Sequence, residues 1–270
     1  MRFAEKAGNP AFLPVIRIVS MAVYISQNDL VIKDRTFTGG LYARMIHEDG
    51  RPYHTFRTPT VIIDGSRITC TGCTFENTAG PGKLVGQAIA LTADGDDLVL
   101  ENCILRGHQD TLFLAPLPEK EKEKDGFLGP QQNKPRTRRT VHLRNCLIEG
   151  DVDFVFGGAT AYFDNCEFRS VGKGYVFAPC TPKDVKEGFI VRNSRFTCTE
   201  DVEDQSCYIA RPWRDHAMVR LEHCELGRHI HPDGWHDWNK TDAHACIRFS
   251  EYDSYGPGAK GVRPEYVTVG

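Results

Sequence analysis

No apolar run in the 270 residues approaches the roughly 18–20 needed to cross a bilayer as a helix. Nor does the chain carry an excess of one charge. Lys and Arg number 33 against 36 Asp and Glu, a net charge of −3. That balance gives no reason to expect nucleic acid or an anionic membrane surface as a partner, and any polyanion would have to be held by a local cluster. A secretion leader is not evident either: Glu5 and Lys6 stand where its apolar core would begin, and the stretch from Ala11 to Ile25 is interrupted by Pro14 and Arg17. The expectation is a cytoplasmic protein, although a leader already removed would leave the same sequence. Convincing 3.6-residue periodicity over 10–15 residues is missing, which argues against a helical repeat. The single CxxC, Cys70-Thr-Gly-Cys73, has no second pair at metal spacing, so neither zinc nor redox chemistry is expected from it. His229, His231 and His236 read as an exposed loop rather than a metal site.

Ten cysteines are present. Cys73, Cys103, Cys146, Cys166 and Cys224 follow Asn, Gly or His inside short apolar segments, and this recurrence suits free, buried thiols acting as small hydrophobes.

The same recurrence exposes an internal repeat. Leu98-Val-Leu-Glu-Asn-Cys103, Val141-His-Leu-Arg-Asn-Cys146, Ala161-Tyr-Phe-Asp-Asn-Cys166, Phe189-Ile-Val-Arg-Asn-Ser194 and Val219-Arg-Leu-Glu-His-Cys224 each alternate apolar and polar residues, break, and resume alternation. Period-2 alternation means strand, and Asn at a fixed corner suits a left-handed backbone. The marker residues are 43, 20, 28 and 30 positions apart. A constant minimum with variable excess describes a solenoid of three short strands per coil with loops of different length. The fold class is therefore all-β, a single parallel β-helix over 1–270, with 1–60 as an irregular cap and first coils. A β-sandwich, the alternative, would not repeat one corner residue so regularly. Residues 115–139 form a long insertion whose run Glu119–Lys124 reads as a solvated face, and Asp253–Pro264 reads as a tail along the solenoid.

Asp110 and Asp153 each lie seven residues after a marker cysteine, Cys103 and Cys146. Equal offsets in successive coils stack the two carboxylates on one face, with strands about 4.8 Å apart. Two acids that close titrate apart, one keeping its proton, as an acid-plus-nucleophile pair requires. Gln87 in the coil before and Arg211 two coils beyond Asp153 are assigned to the same slot, with Gln109 adjacent. Arg211 is expected to reach back to Asp153, and the two amides to serve an oxyanion. A merely solvated aspartate ladder, or a calcium site, would share this spacing.

Gly86-Gln-Ala-Ile-Ala-Leu91, Gln109-Asp-Thr-Leu-Phe113, Asp153-Phe-Val-Phe-Gly157 and Ala210-Arg-Pro-Trp213 resemble successive signature motifs of pectin methylesterases. Gly234-Trp-His-Asp-Trp238 and Phe249-Ser-Glu-Tyr252, followed by Gly256-Pro-Gly258, are similar to the C-terminal ones. The resemblance runs from about residue 60 to the end. It implies an esterase that releases methanol from methyl-esterified polygalacturonate or oligogalacturonide, without metal or cofactor and as a monomer. It also implies roles: Asp153 as nucleophile, Asp110 as general acid/base, Gln87 and Gln109 as oxyanion donors, Arg211 as the holder of Asp153. Trp213, Phe113 and Phe156 would line the sugar groove; Trp235 and Trp238 read equally as groove wall or packing. Three departures stand out: Ala210 for a glycine, Asp151 for a frequent threonine, and Arg44 for an acid in Gly40-Leu-Tyr-Ala-Arg44. A polygalacturonase or pectate lyase would share fold and polymer, but the tempting acids Asp96 and Asp97 lie in a turn signature, Asp94-Gly-Asp-Asp97. An esterase for other esters or thioesters, or a non-catalytic binding solenoid, completes the alternatives.

Overall fold

The computed structural model describes residues 16–17 and 22–270. Each coil contributes three short strands, and every strand pair in the ladders is parallel. One coil runs through Leu91–Ala93, Leu98–Glu101 and Ile104–Arg106; the next through Leu112–Leu114, Thr140–Arg144 and the start of Leu147–Gly157. The first strands of successive coils stack into the site face, the second strands into a nine-stranded second face, and the third into a third face. Leu147–Gly157 and Glu167–Pro179 run on from the third face into the site face of the following coil.

The repeated corner explains the repeated sequence. Asn102, Asn145, Asn165, Asn193 and His223 have φ between 48° and 56°, a left-handed backbone that Asn tolerates better than most residues. Asn165 also donates to Asn145 Oδ1 in the coil before it (2.6 Å). The next residue points inward. Cys103 Sγ donates to the carbonyls of Cys70 and Glu101 (3.3 and 3.4 Å), Cys146 to those of Leu100 and Arg144 (3.4 and 3.3 Å), and Ser194 Oγ to that of Arg192 (2.7 Å). A small side chain with one weak donor fills the corner, packs in the core and satisfies a carbonyl there. All ten cysteines are free.

The other corner uses Asp-Gly. A Cβ at Gly95 would lie 1.8 Å from the Gly65 carbonyl oxygen, so successive coils approach too closely there for any other residue. Asp97, with φ 55°, completes the turn read from the sequence. Lys134 of the 115–139 insertion lies 3.1 and 2.7 Å from carboxylate oxygens of Asp64 and Asp94 at these corners, tying the insertion to two coils.

One expectation, at His229, needs correction. Within the stretch 1–60 expected to hold a cap and the first coils, the first regular coil begins at Val23–Ile25, continues through Leu30–Lys33 and Thr36–Gly39, and pairs with the coil at 61–77. Most of the expected cap before it lies outside the described residues. His229 is not exposed but fully buried, and burial lowers its pKa to about 4. His231 stacks on Tyr208 (4.5 Å) and His236 meets Tyr175 and Tyr208 edge-on.

Candidate active site

The site face differs from the others because both of its sides are covered. Inward residues such as Leu112, Leu114, Val155 and Phe177 belong to the main core, while outward Ile89, Phe113, Phe156 and Ala178 form a second apolar cluster with Phe56, Leu117 and Phe127. Phe56 comes from the 40–60 connection, and Leu117 and Phe127 from the insertion. These two excursions roof the face and leave a cleft of about 590 Å³.

Asp110 and Asp153 both line this cleft and are 7% exposed. Leu112 pairs with Val155, so the two aspartates, each two residues earlier, occupy equivalent levels of adjacent coils. Both adopt left-handed backbones, φ 65° and 50°, which costs about 1 kcal/mol or more for a non-glycine residue and commonly marks a functional position. The Asp110 amide donates to the Val152 carbonyl (3.0 Å), and the ladder is irregular between Val152 and Val155, so a bulge aims the Asp153 side chain.

Arg211 does reach back: its Nε and Nη2 donate to Asp153 Oδ1 and Oδ2 at 2.8 and 2.6 Å. Its guanidinium is sandwiched between Tyr175 and Trp238, 4.0 and 3.7 Å from the ring centres, which fixes the plane of the fork. The assignment of Gln87 and Arg211 to the aspartates' slot is wrong, however. With Leu91, Leu112, Val155, Phe177 and Ala210 in register, Gln87 falls two positions short of that level and Arg211 three beyond. Irregular backbone ahead of each strand brings the glutamine in, and a long side chain brings the arginine back. Gln87 and Gln109 line the cleft on adjacent coils, joined by the Ala88 amide donating to the Gln109 carbonyl (3.0 Å). Gln109 packs against Gly82, where a Cβ would stand 2.5 Å from its own.

Burial, followed by the charge of Asp153, pushes Asp110 well above the usual carboxylate range. Burial raises Asp153 as well, but the Arg211 hydrogen bonds oppose it. Asp110 therefore keeps its proton longest and Asp153 ionises first. Asp151 adds a third charge and raises both. It does not point outward: it is 8% exposed, accepts from the Val152 amide (2.6 Å) and lies 3.2 Å from His108 Nδ1.

Trp213 and Phe156 line the cleft as expected, but Phe113 does not. It is fully buried beneath Phe56 and Phe156, 4.9 Å from each ring. Trp235 is core, donating its indole N–H to Glu251 (3.0 Å), whereas Trp238 lines the cleft. Lys122 and Glu123 are exposed, as read, yet also border the cleft. Phe56, Phe127, Arg214 and Lys240 line it too. Nothing in their spacing announced them, because loops bring them in. Arg44 donates to the carbonyls of Lys83 and Leu84 (3.3 and 2.8 Å) at the end of the short helix Gly82–Val85. No group of three or more His, Cys, Asp or Glu among the described residues is arranged to hold a metal ion.

A family model described as Pectinesterase matches residues 32–117 and 135–264. A pectinesterase/pectinesterase inhibitor, PPE8B of Prunus persica, is 34% identical over 217 residues, 76% of this chain and 37% of that protein. Pectinesterase 31 of Arabidopsis thaliana is 30% identical over 205 residues, 76% of this chain and 57% of that one. The chain spans about a third of the length of the first curated relatives it matches. Among solved structures, pectin methylesterase PemA from Erwinia chrysanthemi superposes with a TM-score of 0.72 at 23% identity, covering 98% of this chain and 85% of that one. A pectin methylesterase in complex with a hexasaccharide gives 0.73 at 23%, covering 98% and 86%. These likenesses identify the fold as the right-handed parallel β-helix.

Proposed function

The chain belongs to the pectinesterase family, and from that premise we propose that it hydrolyses methyl esters of galacturonate units in pectin or oligogalacturonides, releasing methanol. The observation that carries the reading is the inequality of two stacked acids in one cleft: Arg211 grips Asp153 with two hydrogen bonds and leaves Asp110 without that support.

In this mechanism the Asp153 carboxylate attacks the ester carbonyl carbon. The oxyanion that forms accepts hydrogen bonds from the amides of Gln87 and Gln109. Collapse breaks the bond to methoxide, which takes the proton of Asp110 and leaves as methanol. An anhydride on Asp153 remains. Asp110, now a carboxylate, removes a proton from water; the hydroxide attacks the anhydride carbonyl, and the free acid departs as Asp153 is regenerated. Two lower barriers replace one high one, and protonating the leaving group typically contributes about 10²–10⁴-fold. Phe156, Trp213 and Trp238 supply flat apolar surface for pyranose rings. The enzyme acts as a monomer, without nucleic acid, membrane or cofactor. The cytoplasm is its compartment in this reading, and ten free cysteines support a reducing one; recovery of the mature protein from culture medium would contradict that.

The test is methanol release from highly methylated pectin and from short methylated oligogalacturonides. Wild type should release methanol, and Asp153→Ala should lose roughly 10³-fold or more. No release by folded wild type would move thioester or binding readings to the front. New reducing ends or an unsaturated product would identify chain cleavage instead.

A further inference from the structure

The mechanism leaves one buried acid and one histidine unused. Asp151 sits two residues before Asp153 on the strand Leu147–Gly157. Three groups from three segments hold its carboxylate. The Val152 amide donates to Oδ1, the Gly82 amide donates to Oδ2 (3.4 Å), and His108 Nδ1 lies 3.2 Å from that same Oδ2. Gly82 opens the short helix ahead of Gln87, and His108 directly precedes Gln109. The following coil leaves the acid little room: a Cβ at Gly172 would stand 3.1 Å from the Asp151 Cβ, and one at Gly174 would strike the Asp151 carbonyl oxygen. The charged groups around it are Asp110 on the coil before, Asp153 on its own strand, Arg211 beyond, and His108; Lys83 of the helix and Lys173 of the following coil are exposed. Arg211 is committed to Asp153. Among the described residues the ion-pair partner of Asp151 is therefore His108, whose side chain is 28% exposed and can exchange protons with solvent. Neither Asp151 nor His108 lines the cleft.

We propose that Asp151 and His108 form a positioning dyad that acts through the catalytic pair and widens the pH range in which Asp153 is a carboxylate while Asp110 is still an acid. The proposal rests on the esterase reading and deepens it by naming what regulates that site. Burial is the main reason that Asp110 and Asp153 hold their protons tightly, and the charge of Asp151 adds to it at both. Histidine is the side chain that changes charge between about pH 5 and 8. On the acid side of that range His108 is a cation, Asp151 is compensated, and Asp153 stays ionised to lower pH. On the basic side His108 is neutral, the full charge of Asp151 acts on Asp110, and Asp110 keeps its proton to higher pH. One dyad thus extends both limbs of the pH–rate profile.

The deciding measurement is the pH profile of kcat/KM for methanol release from a methylated oligogalacturonide. Asp151→Asn keeps an oxygen for the Val152 and Gly82 amides but loses the charge. Both limbs should move to lower pH by about one unit, as expected when a like charge nearby is removed. Asp151→Thr, also neutral, should do the same. His108→Gln leaves Asp151 uncompensated at every pH, so its acid limb alone should move, to higher pH by about half a unit or more. This third variant decides the matter even where the Asp151 variants fail to fold. Limbs that stay in place while kcat falls would reduce Asp151 to packing and overturn the dyad, as would a His108→Gln acid limb that stays or falls. Carboxyl-carbon NMR titration of Asp110 and Asp153, assigned with Asp110→Asn and Asp153→Asn, needs no turnover. Both acids should titrate lower in Asp151→Asn, and unchanged titrations would overturn the dyad. Absence of methanol release by wild type would overturn the esterase reading alone, since the titration still decides the dyad.

Discussion

The site face and the second face are built from the same coils, yet they meet solvent differently. On the second face, outward Thr71, Glu101, Arg144, Asp164, Arg192 and Glu222 form a register ladder of half-buried or exposed polar groups. On the site face, the outward ladder is Ile62, Thr92, Phe113, Phe156 and Ala178, all buried. A solenoid repeats its backbone but not its covering. Chemistry arises where long connections roof one face, exclude water and raise the pKa of any acid beneath them. The second face, left open, carries solvent-screened groups such as the Arg192–Glu222 ion pair and the stacked rings of His142 and Tyr162.

That contrast can be broken by substituting equivalent outward positions. The largest effect is expected for Phe113→Ala, a loss of about 3–5 kcal/mol of stability as for a buried core phenylalanine, measured by denaturant unfolding. A loss near 1 kcal/mol would mean that the roof does not pack as a second core. Next comes Arg211→Lys, which removes the bidentate grip and the ring sandwich. A fall in kcat/KM of about 10²-fold is expected, or 2.7 kcal/mol. Asp153 attacks only when ionised, and Arg211 opposes the rise that burial causes in its pKa. The acid limb of the pH–rate profile should therefore move to higher pH in the variant; a limb that stays in place would separate Arg211 from the ionisation of Asp153.

A smaller effect on stability than that of Phe113→Ala is expected for Asp110→Asn. The folded-state pKa of Asp110 is raised, so the folded protein binds its proton more tightly than the unfolded chain. The resulting penalty is absent at about pH 3, where both states are protonated, and grows as pH rises above the unfolded value of about 3.9. The variant should be inactive yet melt roughly 2–4 °C higher than wild type at pH 7, with no difference at pH 3. Equal melting at both pH values would refute the buried-acid account. The smallest effect belongs to Arg192→Met on the open face. Arg192 pairs with Glu222 at 2.7 Å, but both side chains are about a third exposed, and such a pair contributes under about 1 kcal/mol.

Much of this was legible in the chain. Local rules wrote the corners: a left-handed Asn, an inward Cys with a carbonyl to satisfy, an Asp-Gly turn with no room for a Cβ. Because coils stack in register, an equal offset after Cys103 and Cys146 sufficed to bring Asp110 and Asp153 level. The slot reasoning failed for Gln87 and Arg211, whose approach depends on irregular backbone and side-chain reach.

Sequence alone thus settled the repeat, the corners and the two stacked acids, all consequences of short-range geometry and a fixed strand spacing. Which face would be roofed, that Phe113 would be buried while Trp238 lines the cleft, and that Lys122, Arg214 and Lys240 would converge beside Trp213 were fixed by folding. Lys122 and Lys240 lie 118 positions apart, on connections whose paths depend on packing against the completed solenoid, and no local periodicity records such a meeting.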